Sequence, residues 1–183
     1  MSASSLPVRY VLPGLAIADH VLQVPLDWAA ADRGDPTETI ELFVREVVDP
    51  ARRHEDLPAV VFLQGGPGGS SPRPLSATGW VGELLRTRRL FLLDQRGTGR
   101  STRVEGRRLA ERGGAEEQAG YLALFRGDSI VRDAEHARRV LFAGRRWETL
   151  GQSYGGFVTL TYLSRAPEGL SACYVTGGLP SLR

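Results

Sequence analysis

Gly151-Gln152-Ser153-Tyr154-Gly155-Gly156 follows Trp147-Glu148-Thr149-Leu150, which reads as a short strand, and precedes residues 155–164, which read as a helix closed by Pro167. A serine between two glycines at a strand-to-helix junction is the setting of a nucleophile elbow. The chemistry requires those glycines, because the turn is sharp and residues two places either side of the serine must lack bulk to pack against neighbouring elements. Such a turn exposes the Ser153 hydroxyl at the carboxyl end of a sheet. It also aims the positive end of the following helix at the place where an oxyanion would develop.

Working outward, residues 59–63 (Ala-Val-Val-Phe-Leu) and 90–93 (Leu-Phe-Leu-Leu) are continuously apolar, as strands covered on both faces by helices must be. Residues 20–25 and 39–47 read as two earlier strands, the second alternating apolar and charged, and the pair forms an antiparallel hairpin leading into the sheet. Residues 172–176 read as a last strand. Helices are expected over 80–86 and 128–142, the latter with Asp128 as N-cap and Ile130, Val131, Ala134, Ala137, Val140 and Leu141 on its apolar face. Alternating strands and helices without repeat or long linker predict an α/β fold with a mostly parallel sheet and flanking helices.

Two further loops sit at the ends of the central strands. Gln64-Gly65-Gly66-Pro67-Gly68-Gly69 directly follows the first, and its bare backbone can bring an N–H close to a substrate carbonyl. It lacks the Gly-Lys-Ser/Thr ending of a phosphate-binding loop, and its spacing departs from the dinucleotide fingerprint. Asp94-Gln95-Arg96-Gly97-Thr98-Gly99-Arg100-Ser101 follows the second, and reads as a structural turn in which Asp94 and Arg96 hydrogen-bond neighbouring loops.

Composition bounds the remaining possibilities. The chain has 183 residues, 42% of them hydrophobic, which suits one soluble domain with a substantial core. Its 23 basic and 21 acidic residues leave no dominant charge, and the short arginine clusters at 86/88/89, 107/108 and 145/146 have few aromatics among them, so no nucleic-acid partner is expected. No signal-like or membrane-length apolar run occurs, and a cytoplasmic location without membrane association is expected. The single cysteine, Cys173, reads as a buried small hydrophobe in the last strand. With no Cys/His cluster at ligand spacing, neither metal nor cofactor is expected.

Taken in order, Gln64-Gly-Gly-Pro-Gly, Asp94-Gln-Arg-Gly-Thr-Gly-Arg-Ser and Gly151-Gln-Ser-Tyr-Gly-Gly resemble the prolyl aminopeptidase (proline iminopeptidase) family of α/β-hydrolases, with residues 128–135 and 176–180 similar as well. The resemblance implies an α/β-hydrolase fold and removal of an N-terminal residue, preferably proline, from a peptide with a free N-terminus through an acyl-enzyme. By motif match Ser153 would be the nucleophile, and the N–H of Tyr154 with that of Gly65, or of Gly66, would hold the oxyanion. Many relatives have His where this chain has Gln64, and the role of that side chain is open.

A serine nucleophile needs a base and an orienting acid, which in this fold follow it in the order Ser, Asp, His. His20, His54 and His136 all precede Ser153, and Glu168 is the one carboxylate after it. The resemblance therefore implies an N-terminal part of the domain, ending before the cap and the last strands. Self-association, or a second chain supplying the missing half, is expected. Two alternatives remain open on the sequence: a catalytically inactive fragment or interaction module, and an esterase on the same fold.

Overall fold

A computed structural model describes residues 6–178. Seven strands among the described residues, β1 (Val8–Leu12), β2 (Leu15–Pro25), β3 (Thr39–Val48), β4 (Ala59–Leu63), β5 (Arg89–Leu93), β6 (Trp147–Gln152) and β7 (Leu170–Thr176), form one sheet in the order β1-β2-β3-β5-β4-β6-β7. The first three pair antiparallel and β3 joins β5 antiparallel, whereas β5, β4, β6 and β7 run parallel. The expected hairpin leading into the sheet is thus β2 with β3, and the continuously apolar runs are the central strands, β4 being buried at every residue.

Parallel strands require crossovers that cover the sheet. Helix α1 (Trp28–Arg33) joins the antiparallel β2 and β3, and α2 (Gly79–Leu85), α3 (Gly106–Ala110), α4 (Ala115–Ala123), α5 (Gly127–Leu141) and α6 (Tyr154–Arg165) supply the crossovers. On one face Phe91, Trp147, Ile130, Val131, Val158 and Tyr162 pack between sheet, α5 and α6. On the other, Phe62, Leu90 and Leu92 meet Val81 and Leu85 of α2. No helix among the described residues is long and apolar enough to cross a membrane.

Several expectations are corrected. Arg126 occupies the N-cap position of α5 with no side-chain cap, and Asp128 lies in the first turn, where its carboxylate meets the positive end of the helix. Val140 is 49% exposed. The buried stripe of α5 is completed by charged residues instead: Asp133, paired with Arg96, and Glu135, paired with Arg138. His20 lies in the middle of β2, opposite Val44, with its Nε2 3.2 Å from Glu46 Oε2. His136 is half-buried against the Trp28 ring at 6.1 Å between centroids, and burial holds its imidazole below the ordinary value and hence neutral. Cys173 is only partly buried, because β7 pairs with β6 on one side alone.

Helix α1 and strand β1 carry no strong apolar period, which is why periodicity passes over them. Local signals are nonetheless present for α1. Asp27 Oδ1 accepts the Ala29 and Ala30 N–H groups at 2.8 and 3.0 Å, and Gly34 closes the helix at φ 77°.

Three largely buried carboxylates, Asp19, Glu46 and Glu135, give stability an acid limb, whereas full burial pushes Asp133 up and works in the opposite sense. Burial alone would raise Asp19, Glu46 and Glu135, but hydrogen bonds and charge from Arg45 and Arg100, from His20 and Arg89, and from Arg138 and Tyr162 outweigh it and hold each below the usual carboxylate range. A depressed folded value stabilises the fold above the unfolded value and is lost as pH falls through the folded one. The thermal midpoint should begin to fall as pH drops through about 6.5, where the depressed His136 imidazole takes up its proton only on unfolding, and fall steeply below about 4. A midpoint unchanged to pH 3 in a scanning-calorimetry series would contradict these assignments.

Candidate active site

The parallel neighbours β4 and β6 are in register with Leu63 opposite Gly151, so the loops that leave their carboxyl ends meet. Ser153 follows β6 with φ 52° and ψ −117°, a strained left-handed backbone for a residue with a side chain. The strain is held from both sides. The Ser153 N–H donates to the Thr176 carbonyl of β7 at 2.8 Å, and the Ser153 carbonyl accepts the Gly156 N–H at 2.8 Å in the first turn of α6.

Close approach explains the glycines. A Cβ on Gly155 would lie 1.8 Å from the Leu63 carbonyl oxygen, so the first turn of α6 rests directly on the end of β4. A Cβ on Gly65 would lie 2.9 Å from both the Gln152 carbonyl oxygen and Ser153 Cβ. The glycine-rich loop after β4 therefore lies bare against the turn that carries Ser153.

A cavity of about 380 Å³ opens on this junction, lined by Gly66, Ser153, Tyr154, Phe157 and Gly177. Its wall is apolar because the Tyr154 and Phe157 rings stack at 5.8 Å between centroids, 23° apart. Burial pushes the Tyr154 phenol up, as does the nearby Asp128 charge, so it is neutral at physiological pH. Tyr154 is the first residue of α6, where an N–H has no acceptor within the helix, and the first turn carries no acidic residue. The positive end of the helix thus faces the cavity.

Of the four residues singled out from the sequence, Ser153, Tyr154 and Gly66 line the cavity and Gly65 is not part of its lining. Gly65 is buried, and its N–H donates to Gln64 Oε1 at 2.9 Å. Phe157 and Gly177 were not singled out. Phe157 is one helical turn from Tyr154, a spacing that signals a shared face, whereas Gly177 joins only through the pairing of β7 with β6.

The loop after β5 stays structural. Asp94 is wholly buried, accepts the Ser71 and Arg100 N–H groups at 2.9 and 2.8 Å, and pairs with Arg73. Arg96 donates to the carbonyls of Pro25, Leu26 and Leu124 and to both oxygens of Asp133. Gln95, to which no sequence pattern gives a role, donates from Nε2 to the Gln64 carbonyl at 2.9 Å and so ties this loop to the glycine-rich one.

None of the three histidines lines the cavity. His54 contacts Arg53 in a surface turn, and His20 and His136 are engaged in β2 and on α5 as described. Among the described residues the Ser153 hydroxyl has no hydrogen-bond partner, and no group of His, Cys, Asp and Glu side chains could hold a metal ion.

The profile of the alpha/beta hydrolase fold matches residues 58–182, which span β4 to the end of β7. The proline iminopeptidase of Aeromonas sobria is 46% identical over 175 residues, covering 96% of this chain and 40% of the relative. Proline iminopeptidase aneH of Aspergillus aculeatus is 35% identical over 168 residues, covering 85% of this chain and 35% of the relative. The chain thus spans well under half the length of these curated relatives. Among solved structures, a proline iminopeptidase-related protein of Thermus thermophilus superposes with a TM-score of 0.55 at 24% identity, over 87% of this chain and 45% of that one. With this match running through the strand, elbow and glycine loop just described, and with proline iminopeptidases among its relatives, the chain belongs to the alpha/beta hydrolase fold family.

Proposed function

We propose that this chain carries the nucleophile and oxyanion half of a serine hydrolase of the prolyl aminopeptidase type, acting on peptides with a free N-terminus and located in the cytoplasm. The observation that carries the proposal is the strained Ser153 at the mouth of an apolar cavity, beside a helix N-terminus and a bare glycine loop. The relatives named proline iminopeptidases support the substrate class.

In this reading Ser153 Oγ attacks the carbonyl of the N-terminal residue while a base takes the hydroxyl proton. The carbonyl oxygen becomes an oxyanion held by the Tyr154 N–H and by an N–H of the glycine loop, Gly65 or Gly66. Collapse of the tetrahedral species breaks the peptide bond, the proton passes to the leaving amine, and water later releases the acyl group from Ser153. The wall formed by Tyr154 and Phe157 suits a small apolar residue such as proline. Because the three histidines are engaged elsewhere, the base and its orienting acid belong to polypeptide beyond these 183 residues, in the cap-bearing remainder of the domain or in a second chain.

The unpartnered Ser153 hydroxyl favours one competing reading, an inert fragment that retains the shape of the site. Intact-mass analysis after treatment with a fluorophosphonate separates the two. A single adduct, absent from Ser153→Ala, is expected if a base reaches Ser153, and hydrolysis of prolyl-7-amino-4-methylcoumarin should be lost in the same variant. A chain that stays unlabelled, alone and when co-expressed with the C-terminal part of the Aeromonas relative, would overturn the enzymatic reading.

A further inference from the structure

Four of the residues at 65–69 are glycines, so the loop has almost no side chains with which to hold its own shape. An oxyanion donor must nevertheless be placed to within a fraction of an ångström. The hold comes from Gln64. Its carboxamide oxygen accepts the Gly65 N–H at 2.9 Å, and its carboxamide nitrogen donates to the Ser70 carbonyl at 3.3 Å. One planar group therefore ties the first peptide of the loop to the last. The main-chain carbonyl of Gln64 is itself fixed by Gln95 Nε2, and Gln95 is 2% exposed. The loop closes around this clamp, since a Cβ on Gly69 would lie 3.2 Å from Gln64 Cγ.

The clamp also settles which N–H a substrate meets. Gly65 is buried, already bonded to Gln64 and not part of the cavity wall, whereas Gly66 is exposed, lines the cavity with Ser153, and has an N–H without a partner among the described residues. We propose that Gln64 is the positioning residue of the oxyanion loop, its carboxamide bridging Gly65 and Ser70 so that the Gly66 N–H is presented beside Ser153. The proposal rests on the serine-hydrolase reading of Ser153 and adds to it the residue that shapes the donor. Glutamine suits the task because one end of a carboxamide accepts while the other donates. Alanine provides neither function, and an ionised glutamate accepts only.

The test uses the full chain, ¹⁵N-labelled, as wild type, Gln64→Ala and Gln64→Glu. Amide exchange at Gly65 should accelerate about tenfold in Q64A, the equivalent of one hydrogen bond, and remain protected in Q64E, whose carboxylate can still accept that N–H. Labelling of Ser153 by the fluorophosphonate should slow in both variants. Measured as a ratio to wild type at each pH, Q64E labelling should recover as pH falls and the new carboxyl protonates into an acceptor and donor. On labelling, the Gly66 amide resonance should move downfield while that of Gly65 does not. A residue important only for stability would lower the thermal midpoint without adding this ionisation. Unchanged Gly65 exchange in Q64A, or a Q64E pH profile equal to wild type, would overturn the proposal. If wild type is not labelled at all, the serine-hydrolase reading fails for the isolated chain, while the Gly65 exchange rates still decide whether Gln64 is the clamp.

Discussion

Arg96→Met should destabilise the fold by about 3–5 kcal/mol, the cost of leaving a buried carboxylate without its partner. Both side chains of the Arg96–Asp133 pair are fully buried, and Asp133 accepts from Arg96 Nε at 2.7 Å, from Arg96 Nη2 at 2.6 Å and from Trp28 Nε1 at 2.9 Å. Arg96 also satisfies three backbone carbonyls, those of Pro25 and Leu26 at the end of β2 and of Leu124 after α4. Its removal therefore orphans acceptors in three segments at once. The loss is a large part of a total stability of about 5–15 kcal/mol, and at a urea slope of about 2 kcal/mol/M it should lower the midpoint by roughly 1.5–2.5 M. The double replacement Arg96→Met with Asp133→Leu should recover only part of the loss, because the three carbonyls remain unpaired. A single variant that unfolds at the wild-type urea midpoint, followed by circular dichroism, would show that the pair contributes little.

Gly155→Ala should be comparably damaging for a different reason. The added methyl would sit 1.8 Å from the Leu63 carbonyl oxygen, 2.5 Å from its carbon and 3.0 Å from the Gln64 carbonyl oxygen, all of them backbone atoms at the end of a central strand. Flexible side chains can turn away from a new methyl, but β4 cannot move without disturbing β5 and β6, so a loss of at least about 3 kcal/mol is expected, the upper range of overpacking. Any folded fraction should have the elbow pushed from β4, with Ser153 labelling lost alongside. Gly120→Ala is the internal control. That glycine lies inside α4 with open space around it, and the change should stabilise by about 0.5–1 kcal/mol. Equal urea midpoints for the two variants would refute the close-approach argument.

The elements most readable in the sequence were those with one dominant physical demand. Continuous apolar runs announced β4 and β5, because only a doubly covered strand tolerates them, and the glycine spacing around Ser153 announced the turn between β6 and α6. The α5 apolar face was only half legible. Spacing placed Val140 with the core, whereas the buried stripe includes Asp133, Glu135 and Arg138. Single-residue polarity cannot reveal such burial, because it depends on partners far along the chain, Arg96 for Asp133 and Tyr162 for Glu135. β1 left little trace for a related reason. As an edge strand whose side chains are largely exposed, it needs no apolar period.

By itself the sequence determined the class of fold, the candidate nucleophile and the glycine loop that meets it, because glycine requirements and apolar runs are local and act through the backbone alone. Only the tertiary structure decided that Gly66, rather than Gly65, lines the Ser153 cavity, that Gln64 clamps the loop between Gly65 and Ser70, and that the three histidines are engaged elsewhere. The first depends on how β4, β6 and β7 line up, and the places of His20 and His136 on partners far along the chain, Glu46 and Trp28. Which groups meet across a sheet is set by its register, and register depends on the side-chain patterns of both partner strands together, so neither run read alone reveals it.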